Sequence, residues 1–243
     1  MLFYISTSFK NLLNQHQLNT FNNIWQLRAD WFEPPNHKRD GWSGVCKLEL
    51  SRESVFLKRQ HNHTRRTWLK PRQGESTLKR EFDILQHLQK HQINAPEWIA
   101  FGETLNAGKL DALLMMKALT GYHSLEDYVK NQIVTQPLIF AIAAAIRGLH
   151  QAGIQHRSLY PKHIFVSYLH GNFEIAFIDF EKSRFTWMPK LRAVTDLRTF
   201  FRKVSLWPVN DQLTFFKAYY ALELTDRPLN FVYRTLWFMM RKR

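Results

Sequence analysis

The best candidate for chemistry in this sequence is a carboxylate that ends a buried strand. Asp179 follows the apolar residues 175–178, so its side chain is predicted to project from a rigid element. A carboxylate held in this way suits a divalent cation. The alternative is a turn-forming Asp, but the polar segment upstream, residues 156–166, favours the metal site.

That upstream segment contains two histidines and a serine: His156, Ser158 and His163. His163 has two equally supported roles, as a metal ligand or as a hydrogen-bonding partner within the segment. For His156 a packed, structural role is favoured over that of a base. Asp196 has two interpretations as well, since it either caps a predicted helix or reaches back to order this segment.

A lysine and a glutamate in the first half of the chain are candidates for an ion pair. Lys58 lies on a short predicted strand, and Glu81 lies on the apolar face of the next predicted helix. A carboxylate on a core-facing stripe is costly unless a cation compensates it, and Lys58 is the natural partner. Such a pair would place the ammonium on nucleotide phosphates. From spacing alone the alternative, two unrelated solvated charges, is favoured.

Two glycines, Gly41 and Gly44, precede Val45 and the predicted lysine strand. Glycines let backbone amides approach phosphate oxygens closely. Two glycines between strands more often form an ordinary hairpin turn, so this signal is weak by itself.

Composition limits the classes of partner. The chain has 243 residues, 45% of them hydrophobic, and its 34 Lys and Arg exceed its 20 Asp and Glu, for a formal charge of +14. This charge favours anionic partners such as nucleic acid, anionic lipid or acidic sugars. Nucleic acid is not expected, because no zinc site, helix-turn-helix pattern or RNA-binding aromatic motif accompanies the charge. A single cysteine, Cys46, and the lack of a signal peptide or spanning segment predict a cytoplasmic protein that can rest on a membrane.

The elements that must position these residues change along the chain. The first part is predicted to be strand-rich, with strands at 42–50, 54–59 and 113–116, a loop at 61–76 and a helix at 78–90. The second part is predicted to be mainly helical. It begins with a buried helix at 138–151 that ends at a C-cap glycine, Gly153, and it has further helices from Asp196. Between them lie two strands, at 164–166 and 175–178, joined by a turn at 171–172. This order predicts an α+β fold of two lobes, residues 1–117 and 118–243.

Two basic segments lie outside these elements. The loop at 61–76 carries Arg65, Arg66 and Arg72 and is the best candidate for contacting an anionic substrate, with a solvated face as the alternative. The C-terminal residues 231–243 mix aromatic and basic side chains. A core helix with a basic tail is favoured there over an interfacial helix on anionic lipid.

Five motifs in a fixed order carry a family resemblance. They are Arg39-Asp40-Gly41-Trp42-Ser43-Gly44-Val45, Phe56-Leu57-Lys58-Arg59-Gln60, Arg80-Glu81-Phe82, Leu159-Tyr160-Pro161-Lys162-His163-Ile164-Phe165 and Ile178-Asp179-Phe180-Glu181-Lys182-Ser183-Arg184. The chain resembles the lipopolysaccharide core kinase family, the Kdo and heptose kinases, and most closely its InaA-like branch. Single motifs are moderately specific, while the ordered set is highly specific.

The resemblance implies a protein-kinase-like fold with a strand-rich N-lobe and a mainly helical C-lobe. It implies ATP and Mg²⁺ as cofactors and phosphorylation of a sugar hydroxyl in the lipopolysaccharide inner core, an anionic substrate built on the cytoplasmic face of the inner membrane. The implied nucleotide-binding residues are Lys58, Glu81, Gly41, Gly44, Val45, Met115 and Lys117, the last two in the stretch 113–119 that would hold adenine. The implied metal ligands are Asp179 and His163. The implied catalytic loop carries His156, Ser158 and Lys162. Arg184 is added to Arg65, Arg66 and Arg72 as a substrate contact.

The sequence departs from the family pattern at Ser158. Kinases have at this position the Asp that accepts the proton of the substrate hydroxyl, and a serine hydroxyl cannot act as a general base near neutral pH. General-base catalysis is worth about 10²–10⁴-fold, whereas phosphoryl transfer depends heavily on positioning and metal electrostatics. The sequence therefore predicts a slow kinase. The alternative is a catalytically degenerate pseudokinase that binds nucleotide or anionic glycolipid.

Overall fold

The structure is a computed structural model, which describes residues 1–38, 40–65, 74–204 and 207–221. The side chains at positions 38, 65 and 189–192 are not described. The chain divides into two compact units: the first contains Met1–Gln86 and Pro96–Thr120, and the second contains His87–Ala95 and the described residues from Gly121 onward. The lobe boundary at residues 117 and 118 stays a prediction.

The first unit is built on an antiparallel sheet. The elements in chain order are β1 (Leu2–Ile5), α1 (Lys10–Gln15), α2 (Phe21–Trp25), β2 (Trp31–Lys38), β3 (Gly41–Leu50), β4 (Glu53–His61), β5 (Thr64–Arg65), β6 (Glu75–Ser76), α3 (Thr77–Lys90), β7 (Trp98–Asn106) and β8 (Lys109–Lys117). Six strands pair in the order β1-β7-β8-β4-β3-β2, and β5 pairs with β6. The edge position of β2 accommodates Pro34 and Pro35, because a proline cannot donate to a neighbouring strand.

Buried side chains pack on both faces of this sheet. Leu13 and Ile24 of the N-terminal helices join Leu57 of β4 in one core cluster. On α3, whose residues from His87 onward belong to the second unit, Phe82 stacks on Phe101 of β7 with ring centroids 4.5 Å apart. The apolar face predicted for this helix is buried, as its 3.6-residue period indicates.

Arg59 of β4 ties the end of α2 to the sheet. Its Nη1 donates to the carbonyl oxygens of Trp25 and Leu27 at 2.9 and 3.0 Å. Its Nη2 donates to the Sγ of Cys46 at 3.1 Å, and the guanidinium lies 4.8 Å from the centroid of the Trp31 ring. These contacts enclose Cys46, which is completely buried.

The second unit is mainly helical. The elements are β9 (His123–Ser124), α4 (Leu125–Asn131), α5 (Gln136–Gln151), β10 (Ile154–Gln155), β11 (Ile164–Leu169), β12 (Asn172–Phe177), β13 (Arg184–Phe185), α6 (Pro189–Lys203) and α7 (Val209–Tyr219). Three strands form a sheet in the order β12-β11-β9, and β10 pairs with β13. The predicted buried helix is α5, whose apolar side chains pack against α7. Gly153 follows it with a φ of +78°, the left-handed conformation expected of a C-cap glycine.

Several elements of the structure extend beyond the apolar segments from which they were predicted. The strand predicted at 113–116 is the end of β8, which begins at Lys109 and pairs with β7 through a turn at Ala107 and Gly108. Both turn residues have positive φ, as a two-residue hairpin requires. The turn predicted at 171–172 lies one residue earlier, because Asn172 already pairs with Leu169. An apolar run locates only part of such a strand, since Asp111 lies before the predicted segment and is buried as well.

The N-terminal region and the predicted basic loop also differ from expectation. No element was predicted before residue 42, yet β1, α1, α2 and β2 lie there. The short strands β5 and β6 pair within the predicted loop at 61–76. Within the described ranges, none of the helices is both long and apolar enough to cross a bilayer.

Candidate functional site

Lys58 and Glu81 form a two-pronged ion pair in the first unit. The Nζ of Lys58 donates to both carboxylate oxygens of Glu81, at 2.9 and 2.8 Å. The two side chains are only 15% and 2% exposed. Leu57 enters the core cluster, so Lys58 faces the opposite side of the sheet because side chains alternate along a strand. The predicted pair is therefore present, and its contact with nucleotide phosphates remains a prediction.

The two glycines of the predicted phosphate-approaching segment are packed against the protein itself. A Cβ added at Gly41 would lie 2.5 Å from the carbonyl oxygen of Asn62, and one at Gly44 would lie 2.6 Å from the Trp31 ring. Gly44 and Val45 lie inside β3 rather than in a hairpin turn. Close packing explains glycine at both positions, and the nucleotide contacts of this segment remain a prediction.

The residues predicted near adenine lie on β8. Met115 is completely buried in the core cluster, and β8 pairs on one side with β4 and on the other with β7. Lys117 ends the strand and pairs with Glu53 at 2.9 Å. The next residue, Ala118, donates its backbone N–H to the Ser54 oxygen at 2.8 Å. Met115 packs in the core cluster, and the contact of Met115 and Lys117 with adenine remains a prediction.

In the second unit, Asp196 anchors the loop that begins at His156. Asp196 lies inside α6, so its interpretation as a helix cap is wrong. Its two oxygens accept the backbone N–H groups of His156 and Arg157, each at 2.7 Å. Arg157 has a φ of +65°, a conformation that costs a residue with a side chain about 1–3 kcal/mol. The buried carboxylate holds the loop in this shape, which is the second interpretation of Asp196.

Two further buried residues support this carboxylate. The Nε2 of His150 lies 3.2 Å from Asp196 Oδ2, and its Nδ1 lies 2.7 Å from the hydroxyl of Tyr219. The carboxylate accepts from Nε2–H, so Nδ1 accepts from the tyrosine hydroxyl. Burial raises the pKa of Tyr219, which keeps that hydroxyl protonated. Sequence reasoning missed both residues, because no local pattern marks them and only the packing of three helices brings them together.

His156 is a packed residue in the structure. Its Nε2 donates to the carbonyl oxygen of Ile178 at 3.1 Å, and its ring lies 5.0 Å from that of Phe180. Burial lowers the pKa of His156 from 6.5 to about 4, so the ring is neutral near pH 7. Its Nδ1 is buried without a hydrogen-bond partner. This geometry matches the structural interpretation, and a catalytic role for His156 remains a prediction.

Ser158 lies in a closed turn of the same loop. Its carbonyl oxygen accepts from His163 Nδ1 at 2.8 Å and from the backbone N–H of Tyr160 at 2.7 Å. Ser158 is 2% exposed, whereas Lys162 on the same loop is exposed. The predicted catalytic positions thus differ in their access to solvent, and their catalytic roles remain predictions.

The side chain of Asp179 lies next to that of His163. The backbone N–H of Ile178 donates to the His163 oxygen at 3.0 Å, and the His163 Nε2 lies 3.4 Å from Asp179 Oδ2. Asp179 has a φ of +64°, and its side chain is 36% exposed. Strained backbone of this kind clusters at functional sites.

The donor set decides which metal these residues suit. Mg²⁺ prefers oxygen ligands and is often held by one or two carboxylates plus substrate phosphates. Asp179 fits that requirement. The imidazole of His163 does not suit a hard cation, and its hydrogen bond to Ser158 matches its other predicted role. Among the described residues no three His, Cys, Asp or Glu side chains cluster as a ready-made metal site.

Of the predicted substrate contacts, only Arg184 has a described side chain. Its Nε donates to Gln155 Oε1 at 2.8 Å, which links β13 to β10. The side chain of Arg65, the residues Arg66 and Arg72, and the C-terminal segment 231–243 lie outside the described part of the chain.

Comparison with known proteins adds independent findings. A family model described as the Lipopolysaccharide kinase (Kdo/WaaP) family matches residues 22–219. Protein InaA of Escherichia coli strain K12 is 33% identical over 172 residues, which cover 68% of this chain and 78% of that protein. The lipopolysaccharide core heptose(I) kinase WaaP of Escherichia coli is 26% identical over 225 residues, covering 85% of this chain and 83% of that one.

A solved structure has the same fold. The structure described as WaaP in complex with acyl carrier protein matches with a TM-score of 0.71 at 20% identity, covering 99% of this chain and 96% of the other. The predicted fold class is therefore confirmed.

Proposed function

We propose that this chain, which belongs to the lipopolysaccharide kinase (Kdo/WaaP) family, transfers a phosphoryl group from ATP to a sugar hydroxyl of the lipopolysaccharide inner core. The observation that carries the proposal is the ion pair between Lys58 and Glu81. Removing a carboxylate and an ammonium from water costs free energy that their attraction hardly recovers. Stabilisation of the fold is therefore a poor explanation for this buried pair. Kinases use a pair of this type to hold an ammonium on nucleotide phosphates.

Each remaining role follows from the chemistry of a described side chain. Asp179 would hold Mg²⁺, which neutralises negative charge on the phosphates when it is bound. Asp196 fixes the loop beside it through two backbone N–H groups. The formal charge of +14 favours an anionic acceptor such as the phosphorylated and carboxylated core sugars.

The transfer is expected to be slow because Ser158 supplies no carboxylate. The proton of the acceptor hydroxyl must then leave without a protein base, a loss of about 10²–10⁴-fold. A second candidate function follows from the same residue. Ser158 is 2% exposed, and its carbonyl is engaged by His163, which favours a pseudokinase that binds nucleotide or anionic glycolipid.

The decisive experiment is a transfer assay on dephosphorylated core oligosaccharide with ATP and Mg²⁺, read by mass spectrometry. Wild-type protein should transfer phosphate slowly, and Asp179→Asn and Lys58→Met should lose the transfer. Glu126→Gln is the matched control, because Glu126 is an exposed carboxylate at the start of α4 and should keep wild-type activity. Mg²⁺-dependent ATP binding without any transfer by the wild type would support the pseudokinase instead.

A further inference from the structure

A short apolar surface follows the candidate site in the chain and has no part in the proposed transfer. Trp187 is 88% exposed, Phe185 is 54% exposed and Met188 is 37% exposed. We call these three residues the aromatic tip. Single exposed apolar side chains are ordinary on protein surfaces, whereas several close together indicate an interaction site.

The aromatic tip is held in place by the second unit. Phe185 lies opposite Ile154 in the pairing of β13 with β10. The Thr186 N–H donates to the Gly153 oxygen at 2.7 Å, and the Phe185 ring packs edge-on against His87 at 5.1 Å. These contacts fix the Phe185 ring and the backbone at Thr186, so a partner would meet a segment whose backbone is already in place.

Basic residues precede the aromatic tip in the chain. Residues 180–188 contain two basic side chains, Lys182 and Arg184, and one acidic side chain, Glu181. Lys182 is exposed, and its carbonyl oxygen accepts from the Nη1 of Arg157, a further exposed cation, at 3.4 Å. This surface combines a tryptophan, a phenylalanine and cations, as segments that lie in a membrane interface do.

We propose that the aromatic tip inserts into the headgroup region of an anionic phospholipid bilayer. The indole and phenyl rings enter the interface, and Lys182 and Arg157 lie against the anionic headgroups. The partner is a bilayer rather than a protein groove, because the exposed cations Lys182 and Arg157 belong to the segment that leads to the tip and its contacts, and the chain as a whole carries a formal charge of +14.

Docking at this surface would also position the candidate site. The Ser183 hydroxyl, two residues before Phe185, donates to the His156 carbonyl oxygen at 2.9 Å. A tip fixed in the interface would therefore hold the loop from His156 to His163 at a set height above the lipid. Membrane docking itself needs neither ATP nor an acceptor, so it stands or fails separately from the proposed transfer.

The test is co-sedimentation with vesicles of phosphatidylcholine containing phosphatidylglycerol, and with vesicles of phosphatidylcholine alone, without nucleotide. Wild-type protein should bind the anionic vesicles preferentially. Trp187→Ala should weaken binding about tenfold, as expected for the loss of one large apolar side chain from the interface. The matched control is Tyr168→Ala, which removes an aromatic ring that is 59% exposed on β11 and should bind as the wild type does.

A spectroscopic readout checks insertion directly. Anionic vesicles should shift the tryptophan emission of the wild type to shorter wavelength, and Trp187→Phe should bind while losing most of that shift. The proposal is overturned if Trp187→Ala binds as tightly as the wild type, or if salt abolishes all binding while the emission stays unchanged. It is equally overturned if the wild-type protein binds neither kind of vesicle and Trp187 instead supports self-association in sedimentation analysis.

Discussion

The carboxylate of Asp196 accepts the backbone N–H of Arg157 at 2.7 Å and thereby holds that residue at a φ of +65°. A side chain of α6 thus fixes the shape of a loop that is almost 40 residues earlier in the chain. The same carboxylate accepts a hydrogen bond from His150, which is itself hydrogen-bonded to Tyr219.

Replacing Asp196 by Asn should destabilise the protein by about 1.5–3 kcal/mol, the worth of a hydrogen bond to a charged group. Each oxygen of Asp196 accepts one backbone N–H, and a carboxamide replaces one of these oxygens by an NH2 group, which would face a donor with another donor. Thermal unfolding monitored by circular dichroism measures the effect. Asp211→Asn makes the same charge change in the first turn of α7 and should leave the melting temperature nearly unchanged; equal losses in both variants would contradict the role given to Asp196.

Replacing Ser158 by Asp should accelerate phosphate transfer by about 10²-fold or more, because it restores a general base. Ser158→Ala should transfer at close to the wild-type rate, since the serine hydroxyl is not the base. The rates of all three proteins are measured with core oligosaccharide at saturating ATP. A large loss in Ser158→Ala would show that the hydroxyl itself takes part.

The stability of the protein should fall as the pH drops from about 6.5 to about 4. Burial lowers the pKa of His156 to about 4, whereas the unfolded histidine keeps its value of 6.5. Below pH 6.5 the unfolded state therefore binds a proton that the folded state does not, which favours unfolding by at most about 3 kcal/mol. The nearby carboxylates of Asp196 and Asp179 oppose this lowering, and His163 adds to it.

Urea unfolding at several pH values, compared with His156→Gln, isolates this contribution. The variant loses packing at every pH, but the slope of its unfolding free energy against pH should be smaller between pH 4 and pH 6.5. Identical slopes in the two proteins would show that other groups cause the acid sensitivity.

Two glycine-to-alanine substitutions should have opposite effects on stability. At Gly44 a Cβ would collide with the Trp31 ring at 2.6 Å, so Gly44→Ala should destabilise by about 1–3 kcal/mol. At Gly148, inside α5, a Cβ meets nothing within 4 Å, so Gly148→Ala should stabilise by about 0.5–1 kcal/mol. The same urea titration measures both, and a wild-type midpoint for Gly44→Ala would mean that Trp31 moves freely away.

The sequence predicted the parts of the site that local patterns encode. The ion pair of Lys58 with Glu81 was a candidate because Glu81 lies on an apolar helical stripe, where a carboxylate requires a cation, and the family resemblance implied it. The first part of β8 was missed, because Lys109 and Asp111 interrupt the apolar run, although Asp111 is itself buried. The partnership of His150, Tyr219 and Asp196 was missed for a different reason, since it depends on how three helices pack.

The single cysteine offers a way to observe one part of the molecule alone. Cys46 is completely buried, and its sulfur accepts a hydrogen bond from the guanidinium of Arg59. A thiol reagent can therefore reach it only when the sheet of the first unit opens. With one cysteine in the chain, the labelling rate reports the opening free energy of that unit without any engineered probe. Ligands that bind the first unit should therefore slow labelling, even where global unfolding is unchanged.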